Sequence, residues 1–232
     1  MGSAVQSSGR APILGVAVIG QAPRDDIKAL YAAAAPPGTR VILRGCFDGL
    51  SDAEIDARGP VRAADALYTK LPSGREVTIS KRAVADRAAA TLAALRRDGA
   101  DALVFNCTGA FPPIEGDAGV LFPSRVLNGL AGALLPRGRL GLLIPIPEQA
   151  ETLTAERGRK GVEVVVEVLT PSAGPEAAAD AARRLAARRP DLVAMDCMSY
   201  TPAAKEIVRG IVGVPTLLAI TATGRVLREL LE

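Results

Sequence analysis

Two cysteines carry most of the chemistry that can be read from this sequence. Cys107 and Cys197 lie in ADALVFNCTG (100–109) and PDLVAMDCMS (190–199), and the two stretches follow one pattern. Each has an Asp six positions before the Cys, an apolar run between them, and a polar residue, Asn106 or Asp196, directly ahead of the sulfur. A matched pair of thiols suits racemisation or isomerisation next to a carboxylate without a cofactor. One sulfur, as thiolate, takes a proton from the carbon, and the other, as thiol, returns one to the opposite face. Each must then reach within about 3 to 3.5 Å of the reacting carbon. Only a few per cent of an ordinary thiol is ionised at neutral pH, so the surrounding loop has to favour the thiolate. Thr108-Gly109-Ala110 and Met198-Ser199-Tyr200 are expected to present backbone N–H groups near a helix start, which favours thiolate and binds a substrate carboxylate. The hydroxyls of Thr108 and Ser199 add donors; their plainer role is helix capping. Cys46, in RGCFDG, reads as core packing.

What is missing narrows the chemistry further. The chain has no histidine, which removes Ser-His-Asp triads, Cys-His pairs and His-based metal sites. Proton transfer is left to Cys, Asp, Glu, Lys or Tyr. Gly15 and Gly20 after the first apolar run lack the GxGxxG spacing, and no GxxxxGK[ST] occurs, so neither metal nor cofactor is expected. Arg24 in QAPR and Arg125 in FPSR stand near predicted helix starts, where a guanidinium could fork onto a carboxylate. For each alone, a solvated or interlobe salt bridge is the plainer reading. Asp25, Asp26 and the acids of 148–151 read as helix N-terminal residues opposing the dipole.

These residues need elements to position them. An apolar run at 13–19 reads as a buried parallel strand, followed by a helix at 25–35 and a strand at 40–43. SDAE at 51–54 fits a capping box. ALYTKL-PSG-REVTI (66–79) has the turn chemistry of a hairpin. Ser80 caps a helix to Arg97, ahead of a strand at 102–105 that ends just before Cys107. The second half repeats the alternation: helix 124–135, strand 140–144, helix 148–157, strand 162–168, helix 175–189 and strand 192–195. Thr201-Pro202 then opens a helix as N-cap and first residue, and a strand at 215–219 and a helix to 232 close the chain. This order predicts an α/β fold of two pseudo-symmetric lobes with mostly parallel sheets flanked by helices. The division is expected as 1–117 and 118–204, with 205–232 returning to the first lobe. Each cysteine then sits at the carboxyl end of a strand, where open parallel sheets bind ligands.

At 232 residues there is interior enough for such lobes, so stability does not require a homo-oligomer, though one stays open. No apolar run approaches the 18 or so residues of a membrane span. MGSAVQSSGRAP at 1–12 lacks the regions of a signal peptide and reads as a flexible leader or cloning remnant. Three cysteines, an odd count, argue against a disulfide framework. A cytoplasmic location is therefore expected. Net charge is +3, with the basic residues scattered, so no nucleic-acid partner is expected.

LFPSRVLNGL (121–130), GLLIPIPEQ (141–149), LVAMDCMSY (192–200) and the opening GVAVIGQAPR resemble the AroM family over nearly the whole chain. That family is in turn distantly similar to the aspartate/glutamate/hydantoin racemase superfamily, whose two α/β lobes each bring a cysteine to the cleft. The resemblance implies Cys107 and Cys197 as the pair, with Gln21, Asn106, Thr108, Ser199 and Tyr200 as ligand contacts, and a small carboxylate-bearing substrate. The Asn-Thr usual after the first cysteine is here Thr108-Gly109. The Thr-His that often follows the second is Met198-Ser199. An amino-acid substrate therefore does not follow. Two other functions stay open: a lyase or decarboxylase using one Cys, and a binding protein that kept only the cleft.

Overall fold

The computed structural model describes residues 10–232; of the expected leader, residues 1–9 lie outside it. The chain opens with β1 (Ile13–Val18), buried along its whole length, as an uninterrupted apolar run predicts for a parallel strand covered on both faces. Its pleat splits the side chains between two cores: Leu14, Val16 and Val18 join the larger one, and Ala17 joins the one beneath α3. After β1 come α1 (Asp25–Ala34), β2 (Arg40–Gly45) and α2 (Asp52–Asp56), whose N-cap Ser51 and Glu54 form the expected capping box. The hairpin follows as β3 (Ala66–Lys70) and β4 (Glu76–Ser80), turning at Gly74 with φ +89°. Then come α3 (Lys81–Arg97), capped by the Ser80 hydroxyl, β5 (Ala102–Asn106), the short β6 (Val120–Leu121) and α4 (Pro123–Leu134).

The second half runs β7 (Gly138–Ile144), a single 3-10 turn, α5 (Ala150–Arg157), β8 (Val162–Val168), α6 (Gly174–Ala187), β9 (Leu192–Met195), α7 (Pro202–Val212), β10 (Thr216–Leu218) and α8 (Ala219–Leu231). Two parallel four-stranded sheets result, ordered β2-β1-β5-β6 and β8-β7-β9-β10. The orders match strand for strand: β1 with β7, β2 with β8, β5 with β9, β6 with β10. The repeat is thus visible in the topology, with the hairpin as an addition to the first lobe.

β6 was not foreseen. At two residues it is too short to show a period, and it lies past residue 117, the boundary read from sequence, yet it pairs with β5. The first sheet therefore continues beyond that point. The last helix of each half leans on the other half: α8 packs against α1 and β5, and α4 against β9. Gly224 of α8 sits so close to α1 that a Cβ there would come within 2.6 Å of the Ala34 methyl. Among the described residues, no helix is long and apolar enough to cross a membrane.

Candidate active site

Cys107 directly follows β5, and Cys197 stands two residues past β9. Because β5 and β9 hold matching places in the two sheets, their carboxyl ends carry both thiols to one cavity of about 30 Å³ between the lobes. Val18 and Ile19 from the end of β1 and Pro145 from the end of β7 line it too, as do Tyr68 and Thr69 of the hairpin. In that closed form it holds about two waters. A ligand of several heavy atoms does not fit that space, so its wall has to move to admit one. Two interlobe contacts fasten the mouth: Gln149 Nε2 donates to the Ala66 carbonyl at 3.1 Å, and Lys81 Nζ lies 3.7 Å from Glu156 Oε1.

Neither sulfur is open to solvent; Cys107 is 8% and Cys197 7% exposed. The loops do aim backbone donors at them, Gly109 N–H at Cys107 Sγ (3.4 Å) and Ser199 N–H at Cys197 Sγ (3.5 Å). Burial outweighs those donors. It pushes Cys107 up to about 11, against the Gly109 N–H and Lys81, which favour thiolate. It pushes Cys197 up to about 12, against the Ser199 N–H, with Cys107 and Asp196 pushing the same way as burial. The loops were expected to lower both values. In this closed state they only limit the rise, and the helix start expected after Cys107 is absent: Pro112 and Pro113 follow, and the next helix begins at Pro123. After Cys197, α7 does begin nearby, capped by the Thr201 hydroxyl.

Of the ligand contacts expected from sequence, Asn106, Thr108, Ser199 and Arg24 line the cavity. Asn106 Oδ1 accepts from the buried Tyr31 hydroxyl (2.8 Å), which fixes the amide. Arg24, 6% exposed, forks onto Asp26 through Nε and Nη2 (2.9 and 2.7 Å) and donates from Nη1 to the Lys70 carbonyl. Burial opposes ionisation of Asp26, but the Arg24 bond and charge hold its carboxyl below the usual range. Gly109 lies beside the cavity, next to Lys81 and Leu67. Cys46 lies in the core below α3.

Three expected contacts lie elsewhere. Gln21 donates its amide to the Phe47 and Leu50 carbonyls and so holds the loop after β2. Arg125 is exposed, stacked 4.6 Å from the Phe122 ring centre; with Pro123 opening α4, Ser124 and Leu127 turn inward and the 3.6-residue period turns Arg125 out. Tyr200 is buried with its hydroxyl on the Leu169 carbonyl (2.6 Å), facing a separate apolar space between α6 and α7. Sequence reasoning passed over Arg157, whose side chain is 1% exposed and forks onto the fully buried Asp196. A signal was present: an Asp closing an apolar strand needs a cation from somewhere. It also passed over Lys81, Gln149 and Tyr68. Tyr68 donates to Glu76 across the hairpin (2.5 Å). Among the described residues, no group of three or more Cys, Asp or Glu is arranged to hold a metal ion.

Known structures share this architecture at low identity. Unliganded arylmalonate decarboxylase is 17% identical, with 96% of this chain and 93% of that chain covered and a TM-score of 0.58. Glutamate racemase from Francisella tularensis subsp. tularensis SCHU S4, in complex with D-glutamate, is also 17% identical, covering 96% and 81% with a TM-score of 0.59. The maleate isomerase Iso from Pseudomonas putida S16 is 14% identical, covering 96% and 93% with a TM-score of 0.63. No curated protein matches the sequence. These likenesses show a common two-lobed fold. The family model described as "AroM protein" matches residues 14–231, nearly every residue that builds the two sheets and the cavity between them: the chain belongs to the AroM family.

Proposed function

We propose that this protein is a cofactor-independent racemase or isomerase of a small carboxylate-bearing substrate, with Cys107 and Cys197 as its two acid/base groups. The observation that carries this reading is the shared cavity: two thiols, from matching places in the two sheets, meet in one space at the carboxyl ends of parallel strands. Cys107 is the better placed to be thiolate, since Lys81 and the Gly109 N–H both favour its charge. In that direction Cys107 takes the proton beside the carboxylate, the electron pair delocalises into the carboxylate, and the Cys197 S–H protonates the opposite face. Cys107 ends as thiol and Cys197 as thiolate, and the reverse reaction restores them. Donors along the cavity wall, the Ser199 hydroxyl and Arg24, suit the carboxylate on which charge develops.

One observation favours a second reading. Burial holds both thiols in the protonated form, and a neutral thiol is ready to protonate a carbanion left by loss of CO2. A decarboxylase of that kind needs one cysteine only. The test is solvent deuterium uptake across a panel of amino acids, hydantoins and mono- and dicarboxylic acids, with Cys107→Ser and Cys197→Ser alongside the parent. A two-thiol enzyme loses interconversion in both variants, which go on washing deuterium into opposite enantiomers. A decarboxylase depends on one cysteine and tolerates loss of the other; a binding protein incorporates nothing. Full interconversion by either single variant would sink the two-thiol assignment.

A further inference from the structure

Arg157 heads the large, fully buried side chains of the molecule, and the proposed proton transfer does not use it. Its Nε donates to Asp196 Oδ2 (2.7 Å), and its Nη2 donates both to Asp196 Oδ1 (3.1 Å) and to the Thr108 carbonyl (2.7 Å). The Thr108 hydroxyl in turn donates to the Asp196 carbonyl (3.2 Å). Thr108 is the residue after Cys107, and Asp196 the residue before Cys197. One guanidinium thus grips both cysteine loops, one from each lobe.

With side chains 1% and 0% exposed, this pair is a poor device for stability alone: apolar groups of similar volume commonly hold a core as well or better. What the planar, forked guanidinium supplies is a fixed geometry. We propose that Arg157, acting through Asp196 and Thr108, is a positioning residue that sets the separation and facing of the two sulfurs. This rests on the two-thiol reading above. Proton transfer tolerates little drift, since misplacement by about 1 Å costs on the order of a hundredfold in rate.

The test uses mercuric chloride at one equivalent on protein carrying Cys46→Ala. Two thiols that face each other lose their protons, displace both chlorides and share one mercury, leaving no thiol to alkylate. Thiols that do not face each other bind it singly, and one stays free. The parent should bridge. Arg157→Met/Asp196→Leu removes both charges together, and Glu156, 3.5 Å from Arg157 Nη1, keeps Lys81 as its partner. It should keep its melting temperature and bridge at least about tenfold less. Arg157→Lys keeps the charge and loses the fork, and it too should bridge less; if the double variant does not fold, this one decides. Parental bridging in the folded double variant, or in Arg157→Lys where it alone is folded, would overturn the proposal, as would a parent that fails to bridge. Bridging needs no substrate. Absence of proton exchange in every acid tried would end the enzymatic reading and leave the mercury result standing.

Discussion

At Cys107 and Cys197, removing a thiolate from water costs more than two backbone N–H groups and Lys81 offset, and this sets both the resting protonation and a pH dependence of stability. The thiols of Cys107, Cys197 and Cys46 are all raised from 9.0, to about 11, about 12 and about 12, with burial the leading cause. Below pH 9 they are neutral in folded and unfolded chain alike, and their full contribution is present. Above it the unfolded chain releases its thiol protons first, so stability is lost as pH rises from 9 through 11 to 12. Urea unfolding at about pH 8 and about pH 10 should show this loss, and Cys107→Ala and Cys197→Ala should each show less of it than the parent. An unchanged difference between the two pH values in both variants would mean that the buried thiols do not titrate as the structure requires. The same desolvation argument explains why sequence reading expected lowered values: donors near a cysteine are visible in the chain, whereas the depth of the cysteine is not.

Between elements, the crossing of α8 and α1 depends on Gly224. A methyl there would stand 2.6 Å from the Ala34 Cβ, so one helix must shift. Overpacking of this kind costs about 1 to 3 kcal/mol, and Gly224→Ala should lose that much by urea unfolding although it improves helix propensity. Ala34→Gly removes the opposing methyl at a cost of about 1 kcal/mol in helix propensity. The double variant should then be more stable than the sum of the single losses. Strict additivity would mean that the helices do not meet at this point. α1 also carries Tyr31, whose hydroxyl fixes Asn106, so this crossing connects the C-terminal helix to the cavity wall.

For the molecule as a whole, the small cavity between the lobes makes opening a condition of ligand entry. Lys81 and Glu156, 18% and 19% exposed, face each other across the mouth beside Cys107. A partly exposed pair of this sort contributes roughly 0.5 to 1 kcal/mol. Glu156→Gln should therefore raise the open population and the iodoacetamide reactivity of both cysteines together, roughly two- to fivefold. A rise confined to Cys107 would instead report the loss of a negative neighbour that now holds its thiol up, and would argue against the pair as a fastening.

The chain read alone makes legible the alternation of strands and helices, the capping box at Ser51, the hairpin at Gly74, and the placement of two cysteines at strand ends. These follow from apolar period, turn chemistry and local capping, all of which act over a few residues. It also placed Asn106, Thr108 and Ser199 beside the sulfurs, because residues next to a strand end share its location. The rest arose from packing between segments distant in the chain. Arg125, like Arg24, stands at a helix start, and Tyr200 follows Ser199 in the chain, yet helical phase turned Arg125 outward and packing turned Tyr200 to the carbonyl that follows β8. β6 exists because β5 offers it an edge. Arg157 reaches Asp196 from a helix 39 residues earlier in the chain; an Asp at a buried strand end requires a cation, but local pattern has no means of naming which of 28 it will be.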